Sequence, residues 1–136
     1  MNDQNNQELV QQAYSNFKSG NIESLLGLMS DDISWELPKI ENVPFSGTRK
    51  GKEAVREFFA ILASEQDVVE FNPMKFIAQG DQVVCLGNYK WRTHDRQEWQ
   101  GEWAQIFTIR NGKVVSFHEY TDTAAAAAVY KKRMMA

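Results

Sequence analysis

The sequence predicts an α+β domain in which N-terminal helices pack in the concave face of a strongly curved antiparallel sheet. Two observations carry this prediction. In the first half of the chain, apolar residues recur at three- and four-residue spacing, as on one face of a helix. In the second half, β-rich runs are separated by short turn motifs, among them Asn111-Gly112, a strong signal for a tight hairpin. Helices followed by such a meander are typical of an α+β architecture.

Three helices are predicted in the first sixty-odd residues. The first carries an apolar stripe from Leu9 to Phe17 and ends at Gly20, a residue suited to helix termini. Asn21 is the predicted N-cap of a second, short helix. The third helix carries its stripe at Val55, Phe58, Phe59 and Leu62.

One short strand, Ile33–Leu37, is the only strand expected in this first part; Asp31-Asp32 is read as the break before it and Pro38 ends it. Residues 39–50 are predicted to be a loop. Four long strands follow, at Val68–Ala78, Gln82–Thr93, Trp99–Arg110 and Val114–Asp122. A terminal helix over Ala124–Ala128 is predicted, with Thr121, Asp122 or Thr123 as its cap. Because long twisted strands curl, helices on the concave side would leave a cavity between the layers.

Composition narrows the possible partners. The 136 residues suit one domain, and a net charge of -3 without a basic stripe argues against nucleic acid. No segment approaches the roughly 20 apolar residues that a membrane span needs, and the polar start of the chain does not resemble a signal peptide. The single Cys85 excludes an internal disulfide and is predicted to be a buried thiol, which fits a reducing cytoplasm.

Alternation along the last two strands sorts their side chains into two sets. One set of the third long strand comprises Trp103, Gln105, Phe107 and Ile109. In the last strand, Val115, Phe117, Glu119 and Thr121 oppose Val114, Ser116, His118, Tyr120 and Asp122. Alternation does not say which set faces the helices, and a bulge would reverse the pattern beyond it.

Several segments together resemble the SnoaL-like and ketosteroid-isomerase-like members of the nuclear transport factor two-like superfamily. They span nearly the whole chain in the expected order: Gly20-Asn21-Ile22-Glu23, residues 31–38, Gly47 with Gly51–Val55 and Phe58-Phe59, Trp103–Phe107, Asn111–Val114, and Glu119–Asp122. The resemblance implies a cone-shaped fold around a cavity for a small hydrophobic molecule. It does not fix the reaction, because this fold hosts isomerases, cyclases, hydrolases, dehydratases and non-catalytic binders.

The resemblance also places individual residues. Tyr14 matches the tyrosine with which the steroid isomerases stabilise an oxyanion, and Gln105 stands where they hold a protonated Asp. Leu37 stands where they hold their base. The segment Glu119-Tyr120-Thr121-Asp122 is similar to a carboxylate segment of the superfamily's epoxide hydrolases, whose Arg-x-Asp element is not evident here. The same register turns Glu119 inward. The predicted pocket lining is Phe17, Trp35, Leu37, Phe58, Trp103, Phe107 and Phe117.

Each candidate has a structural alternative. Tyr14 could be a core tyrosine, and Gln105 could satisfy a buried partner. Glu119 is the candidate base, since a desolvated carboxyl has a raised pKa, but it could instead pair with an arginine such as Arg92. His118 is expected to face outward and His94 to lie in a hairpin tip, so no metal or cofactor is predicted.

The leading hypothesis is therefore a cofactor-independent isomerase, cyclase or hydrolase in which Tyr14 and Gln105 polarise an oxygen and Glu119 moves a proton. The alternative is a binding or dimerisation module without chemistry. A homodimer is expected, because the outer sheet face would carry an apolar patch of Val84, Leu86, Ile106, Val114 and Tyr120. The alternative is that the terminal helix covers this face within one chain.

Overall fold

Residues 3–135 are described by the structure, a computed structural model, with side chains described through Lys132. The helices are α1 (Asp3–Lys18), α2 (Ile22–Gly27), α3 (Lys52–Glu65) and α4 (Thr123–Met135). The strands are β1 (Met29–Glu36), β2 (Thr48–Lys50), β3 (Gln66–Gln79), β4 (Gln82–Thr93), β5 (Glu98–Arg110) and β6 (Lys113–Thr121).

The strands form one curled, unclosed sheet in the order β2-β1-β6-β5-β4-β3. All neighbours are antiparallel except β1 and β6, which run parallel. On the concave side, α1 packs against β3 and β4, and α3 packs against β1. The predicted fold class is thus confirmed, while the parallel pair was not foreseen.

The predicted helix signals act as expected. Gly20 ends α1 with a φ of 77°, a left-handed conformation that lets its N–H reach the Phe17 carbonyl at 3.1 Å. The Asn21 side chain caps α2 by accepting a hydrogen bond from the backbone N–H of Ser24. The whole predicted stripe of α3, Val55, Phe58, Phe59 and Leu62, is buried. No helix in the described part of the chain is long and apolar enough to cross a membrane.

The first strand is longer than predicted, because Asp31-Asp32 lies inside β1 instead of preceding it. The pairing of β1 with β6 is irregular between Met29 and Ser34, and both carboxylates project into solvent at this irregularity. The low strand propensity of these two aspartates therefore does not prevent β1 from forming through them. The predicted loop likewise contains β2, whose three polar residues pair with β1 and are too few to show alternation.

A bulge in β6 corrects one residue of the predicted outer face. Ile109 pairs with Val114 and Thr108 pairs with Ser116, so Val115 has no partner on β5. Val114 is consequently turned into the core, where it is 2% exposed. From Phe117 onward the predicted alternation holds.

The terminal helix closes one end of the concave side. The Asp122 carboxylate caps α4 by accepting hydrogen bonds from the backbone N–H groups of Ala124 and Ala125. Ala126 and Tyr130 are 1% and 2% exposed, and the Tyr130 ring meets Phe45 edge-on. The alternative in which this helix covers the outer sheet face is therefore wrong.

Candidate active site

A cavity lies between the concave sheet face and the helices. Its volume, measured as the space open to the centre of a water molecule, is about 90 Å³. That is room for several waters or a small ligand, since one water needs roughly 10–15 Å³ by this measure. Its wall is mostly aliphatic and aromatic, and none of the described lining residues is Lys, Arg or His. A ligand here would be held mainly by apolar contact.

Six of the seven predicted pocket residues line this cavity: Phe17, Trp35, Leu37, Phe58, Phe107 and Phe117. The Trp35 ring stacks on Phe117 with centroids 3.9 Å apart. Trp103 is also buried, but its ring lies behind the wall, stacked on Phe71 and tilted against Tyr14. It supports the lining without belonging to it.

Two polar groups of the cavity wall, Gln105 and Glu119, stand on one row across the sheet. Cys85, Gln105 and Glu119 are direct cross-strand neighbours on β4, β5 and β6. Tyr14 reaches this row from α1, where the helical stripe points it into the sheet. Tyr14, Gln105 and Glu119 therefore come together in the cavity, as the resemblance to the family implies.

Hydrogen bonds join these side chains into a chain. The Tyr14 hydroxyl donates to Gln105 Oε1 at 2.8 Å, and Gln105 Nε2 donates to Glu119 Oε1 at 2.8 Å. Because an ionised carboxylate only accepts hydrogen bonds, the amide of Gln105 must turn its nitrogen toward Glu119 and its oxygen toward Tyr14. In this arrangement the Tyr14 hydroxyl and one of the two Gln105 N–H groups are directed at protein acceptors.

Tyr89 completes the network from β4. Its hydroxyl lies 2.9 Å from Thr121 Oγ1 and 3.4 Å from Glu119 Oε2. Thr121 donates its own hydrogen to the Glu102 carbonyl, so its oxygen accepts the hydrogen of Tyr89. The second oxygen of Glu119, Oε2, is therefore the less engaged of the two and the one free to exchange a proton with a ligand.

Burial sets the electrostatics of Glu119. Desolvation raises the pKa of its carboxyl to about 7, against a smaller lowering by the hydrogen bond from Gln105 and by the nearby hydroxyl of Tyr89. The alternative pairing with Arg92 does not occur, because that guanidinium binds Glu98 on the exposed side of the sheet. Within residues 3–132 no cation forms an ion pair with Glu119. Near neutral pH, both protonation states of Glu119 are therefore populated.

The neighbouring phenols and thiol remain protonated. Burial raises the pKa of Tyr14 and of Tyr89 far above the usual tyrosine value. Burial also raises the pKa of the Cys85 thiol, and the predicted burial of this cysteine is confirmed. Among the groups of this row, Glu119 alone has a pKa close to physiological pH.

Tyr89 and Gln66 are polar cavity residues that the sequence analysis did not single out. Tyr89 shares the inward face of β4 with Cys85 and Trp91, and alternation applied to that strand would have found it. Gln66, the first residue of β3, is 2% exposed and lines the cavity, yet no motif marks it. Its side-chain Nε2 lacks a hydrogen-bond partner within the described part of the chain, as does the Trp35 indole Nε1.

The two histidines lie away from the cavity. His118 faces outward, 3.2 Å from a Glu36 carboxylate oxygen, and His94 lies beside Asp67 near the turn between β4 and β5. Among residues whose side chains are described, no group of three or more His, Cys, Asp or Glu could hold a metal ion.

Solved structures share this fold. An NTF2-like protein from Burkholderia xenovorans LB400 is similar at 28% identity, with a TM-score of 0.84 over 94% of this chain and 97% of that one. TerC, co-crystallised with polyporic acid, is 26% identical, with a TM-score of 0.81 over 93% and 98%. A candidate polyketide cyclase from Xanthomonas campestris pv. campestris is 17% identical, with a TM-score of 0.79 over 96% and 99%, a likeness of fold alone.

A search of curated proteins by sequence returns no match. The model of the SnoaL-like domain matches residues 10–117, which includes α2, α3, the first five strands and most of the polar row. Because that match covers well over half of the sequence, the chain belongs to the SnoaL-like domain family.

Proposed function

We propose that this protein is a cofactor-independent enzyme of the isomerase or cyclase type, in which Glu119 transfers a proton on a small, hydrophobic, oxygen-containing substrate. The observation that carries the proposal is a buried carboxyl with a pKa of about 7 on the wall of an aromatic cavity. A group with its pKa near the working pH is the most effective general base or acid. Perturbed carboxyls of this kind cluster at catalytic sites.

The two oxygens of the Glu119 carboxylate have different roles in this proposal. Oε1 is held by Gln105, which Tyr14 holds in turn, so these two residues position the carboxylate. Oε2 would remove a proton from a carbon next to a substrate carbonyl and return it to another atom of the same molecule. The first step leaves the proton on Glu119 and the second returns it to the substrate, so the two steps together restore the protein and need no redox partner. This assignment gives Tyr14 and Gln105 a positioning role in place of the oxyanion role that the resemblance implies.

The solved structures with the same fold support a search among oxygen-rich aromatic substrates. TerC was crystallised with polyporic acid, and a protein of the same fold is named as a candidate polyketide cyclase. Polyporic acid is accordingly the first ligand to titrate, by quenching of tryptophan fluorescence, because Trp35, Trp91 and Trp99 line the cavity.

Replacement of Glu119 by Gln tests the proton-transfer step. Wild-type protein and the variant are incubated in D₂O with small aromatic ketones, and deuterium incorporation beside the carbonyl is followed by mass spectrometry. Glu119→Gln preserves size and the bond from Gln105, so the exchange rate should fall on the order of 100-fold while the fold persists. Glu57→Gln, at an exposed position of α3, is the matched control and should exchange at the wild-type rate.

A second candidate function, binding without catalysis, is favoured by one observation. The Tyr14 hydroxyl and one N–H of the Gln105 amide are directed at protein acceptors and not at the cavity. A pure binding protein would show saturable fluorescence quenching but no exchange above background. Equal exchange by wild-type protein and Glu119→Gln would decide for this second function.

The usual steroid-isomerase reaction is not expected. The position at which the resembling isomerases carry their base holds Leu37, whose alkyl side chain lines the cavity and cannot accept a proton. Conversion of a β,γ-unsaturated ketosteroid, followed by the ultraviolet absorbance of its conjugated product, should stay at the buffer rate. Rapid conversion that Glu119→Gln abolishes would show that Glu119 has taken over the role of the base.

A further inference from the structure

The amide of Gln66 is oriented by two donors that leave its nitrogen unused. Gln66 Oε1 accepts hydrogen bonds from the Trp99 indole Nε1 at 3.1 Å and from the Tyr130 hydroxyl at 2.7 Å. An indole N–H can only donate, so the atom it contacts must be the amide oxygen. The orientation of the amide therefore follows from chemistry, and Nε2 is left with two hydrogens and no protein acceptor within residues 3–132.

A buried amide nitrogen without an acceptor is unfavourable, and folded proteins rarely tolerate one without a reason. Gln66 is 2% exposed and stands on the cavity wall, so bulk solvent cannot readily satisfy it. Three elements converge to hold it in place: the start of β3, Trp99 on β5 and Tyr130 on α4. A side chain fixed in this way is a preorganised donor.

The surroundings of Gln66 define the molecule that it could bind. Trp99 lies against Tyr89 with ring centroids 5.5 Å apart, and the Tyr89 hydroxyl reaches Glu119 Oε2 at 3.4 Å. An aromatic wall thus connects the Gln66 amide with the Glu119 carboxyl, and Trp91 extends it. The described lining contains no cation, so the negative charge of a ligand carboxylate at Gln66 would be buried without a positive partner. A neutral carbonyl oxygen carries no such charge and needs only the hydrogen bond.

We infer that Gln66 is the second polar anchor of the cavity: its Nε2 donates a hydrogen bond to a neutral carbonyl oxygen of a flat aromatic ligand that lies along Tyr89 and Trp99. This inference rests on the proposed use of the cavity as a substrate site and narrows the substrate to aromatic ketones or quinones. Gln66 is then a specificity-determining residue at one end of the site, and Glu119 acts at the other.

A pair of probes that differ only in the carbonyl tests the inference. 1-Indanone and indane have the same ring skeleton, and their binding is followed by tryptophan fluorescence. Wild-type protein should bind the ketone on the order of tenfold more tightly than the hydrocarbon, the effect of one hydrogen bond. Gln66→Met keeps an unbranched side chain without the N–H groups and should abolish the preference. Gln79→Met, at an exposed position of the same strand, should retain it.

A measurement on the wild-type protein covers the case in which Gln66→Met does not fold. The side-chain amide resonance of Gln66 in a ¹⁵N-labelled sample, identified by its loss in Gln66→Glu, should shift with 1-indanone and not with indane. An unshifted resonance, or a ketone preference that persists in Gln66→Met, would overturn the inference. Glu119→Gln should keep the preference, so failure of the catalytic proposal and failure of the Gln66 anchor are distinguishable.

Discussion

Glu119 should make the stability of this protein depend on pH in an unusual direction. Its carboxyl has a pKa of about 7 in the folded chain, against 4.5 for an ordinary glutamate. Between these values the folded chain binds more protons than the unfolded chain, so the free energy of unfolding falls as pH rises. The full stability is present below the lower value. The loss is complete above the higher one and amounts to about 3 kcal/mol.

Urea denaturation at about pH 5 and about pH 8 measures this effect. Glu119→Gln replaces the carboxyl by a group that does not titrate, so the decline should disappear, and at the higher pH the variant should be the more stable protein. The exposed Glu57→Gln serves as the control and should follow the wild type. A decline that persists unchanged in Glu119→Gln would mean that other groups cause it.

At the scale of single residues, the sequence predicted what local periodicity can encode. Two-residue alternation placed Gln105 and Glu119 each in one set of side chains on its strand, and the resemblance to the family turned those sets and Tyr14 inward, where all three are buried. The direction of their hydrogen bonds could not be predicted, because it depends on partners brought together by the curl of the sheet. Gln66 illustrates the limit: its partners Trp99 and Tyr130 lie 33 and 64 positions away.

At the scale of elements, the long strands and helices were predictable because each repeats its pattern over many residues. The departures are places where the pattern is short or interrupted. β2 has three residues, β1 carries two aspartates at an irregularity, and the bulge at Val115 shifts Val114 into the core. In each case tertiary pairing overrides a local signal that is weak or points the other way.

Gly87 of β4 lies where the strand packs closely against Trp103, a residue that supports the cavity wall. A β-carbon at this position would lie 2.3 Å from the Asn72 carbonyl oxygen and 2.5 Å from the Trp103 ring. Trp103 in turn packs against Tyr14. Gly87→Ala should therefore displace Trp103 or the backbone of β3 and destabilise the protein by about 2 kcal/mol or more.

Gly27→Ala is the matched control for this prediction. A β-carbon on Gly27 would meet nothing within 4 Å, and the residue ends α2. The control should be neutral or stabilise the protein by up to about 1 kcal/mol through helix propensity. The two melting temperatures should differ clearly, and near-equal values would show that Gly87 is not needed for close packing.

At the scale of the molecule, the curled sheet has two faces with different character. The concave face carries the buried polar row, while the outer face carries an apolar patch defined here as Val84, Leu86, Ala104, Ile106 and Tyr120. These residues form two neighbouring rows across β4, β5 and β6, with His118 stacked on Tyr120 at one edge. Leu86 is 39% exposed and Tyr120 53% exposed. Contiguous exposed apolar surface of this kind marks an association site.

We therefore expect a homodimer formed through the apolar patch, since identical sheet faces readily associate around a twofold axis. Light scattering at tens of micromolar should give about twice the 15.6 kDa of one chain. Leu86→Asp places a carboxylate in the patch at an already exposed position, so it should yield monomers without unfolding the chain. Ala60→Asp, at an exposed position of α3, introduces the same charge elsewhere and should leave the dimer intact. A wild-type mass near that of one chain, or a Leu86→Asp protein that remains dimeric, would exclude this interface.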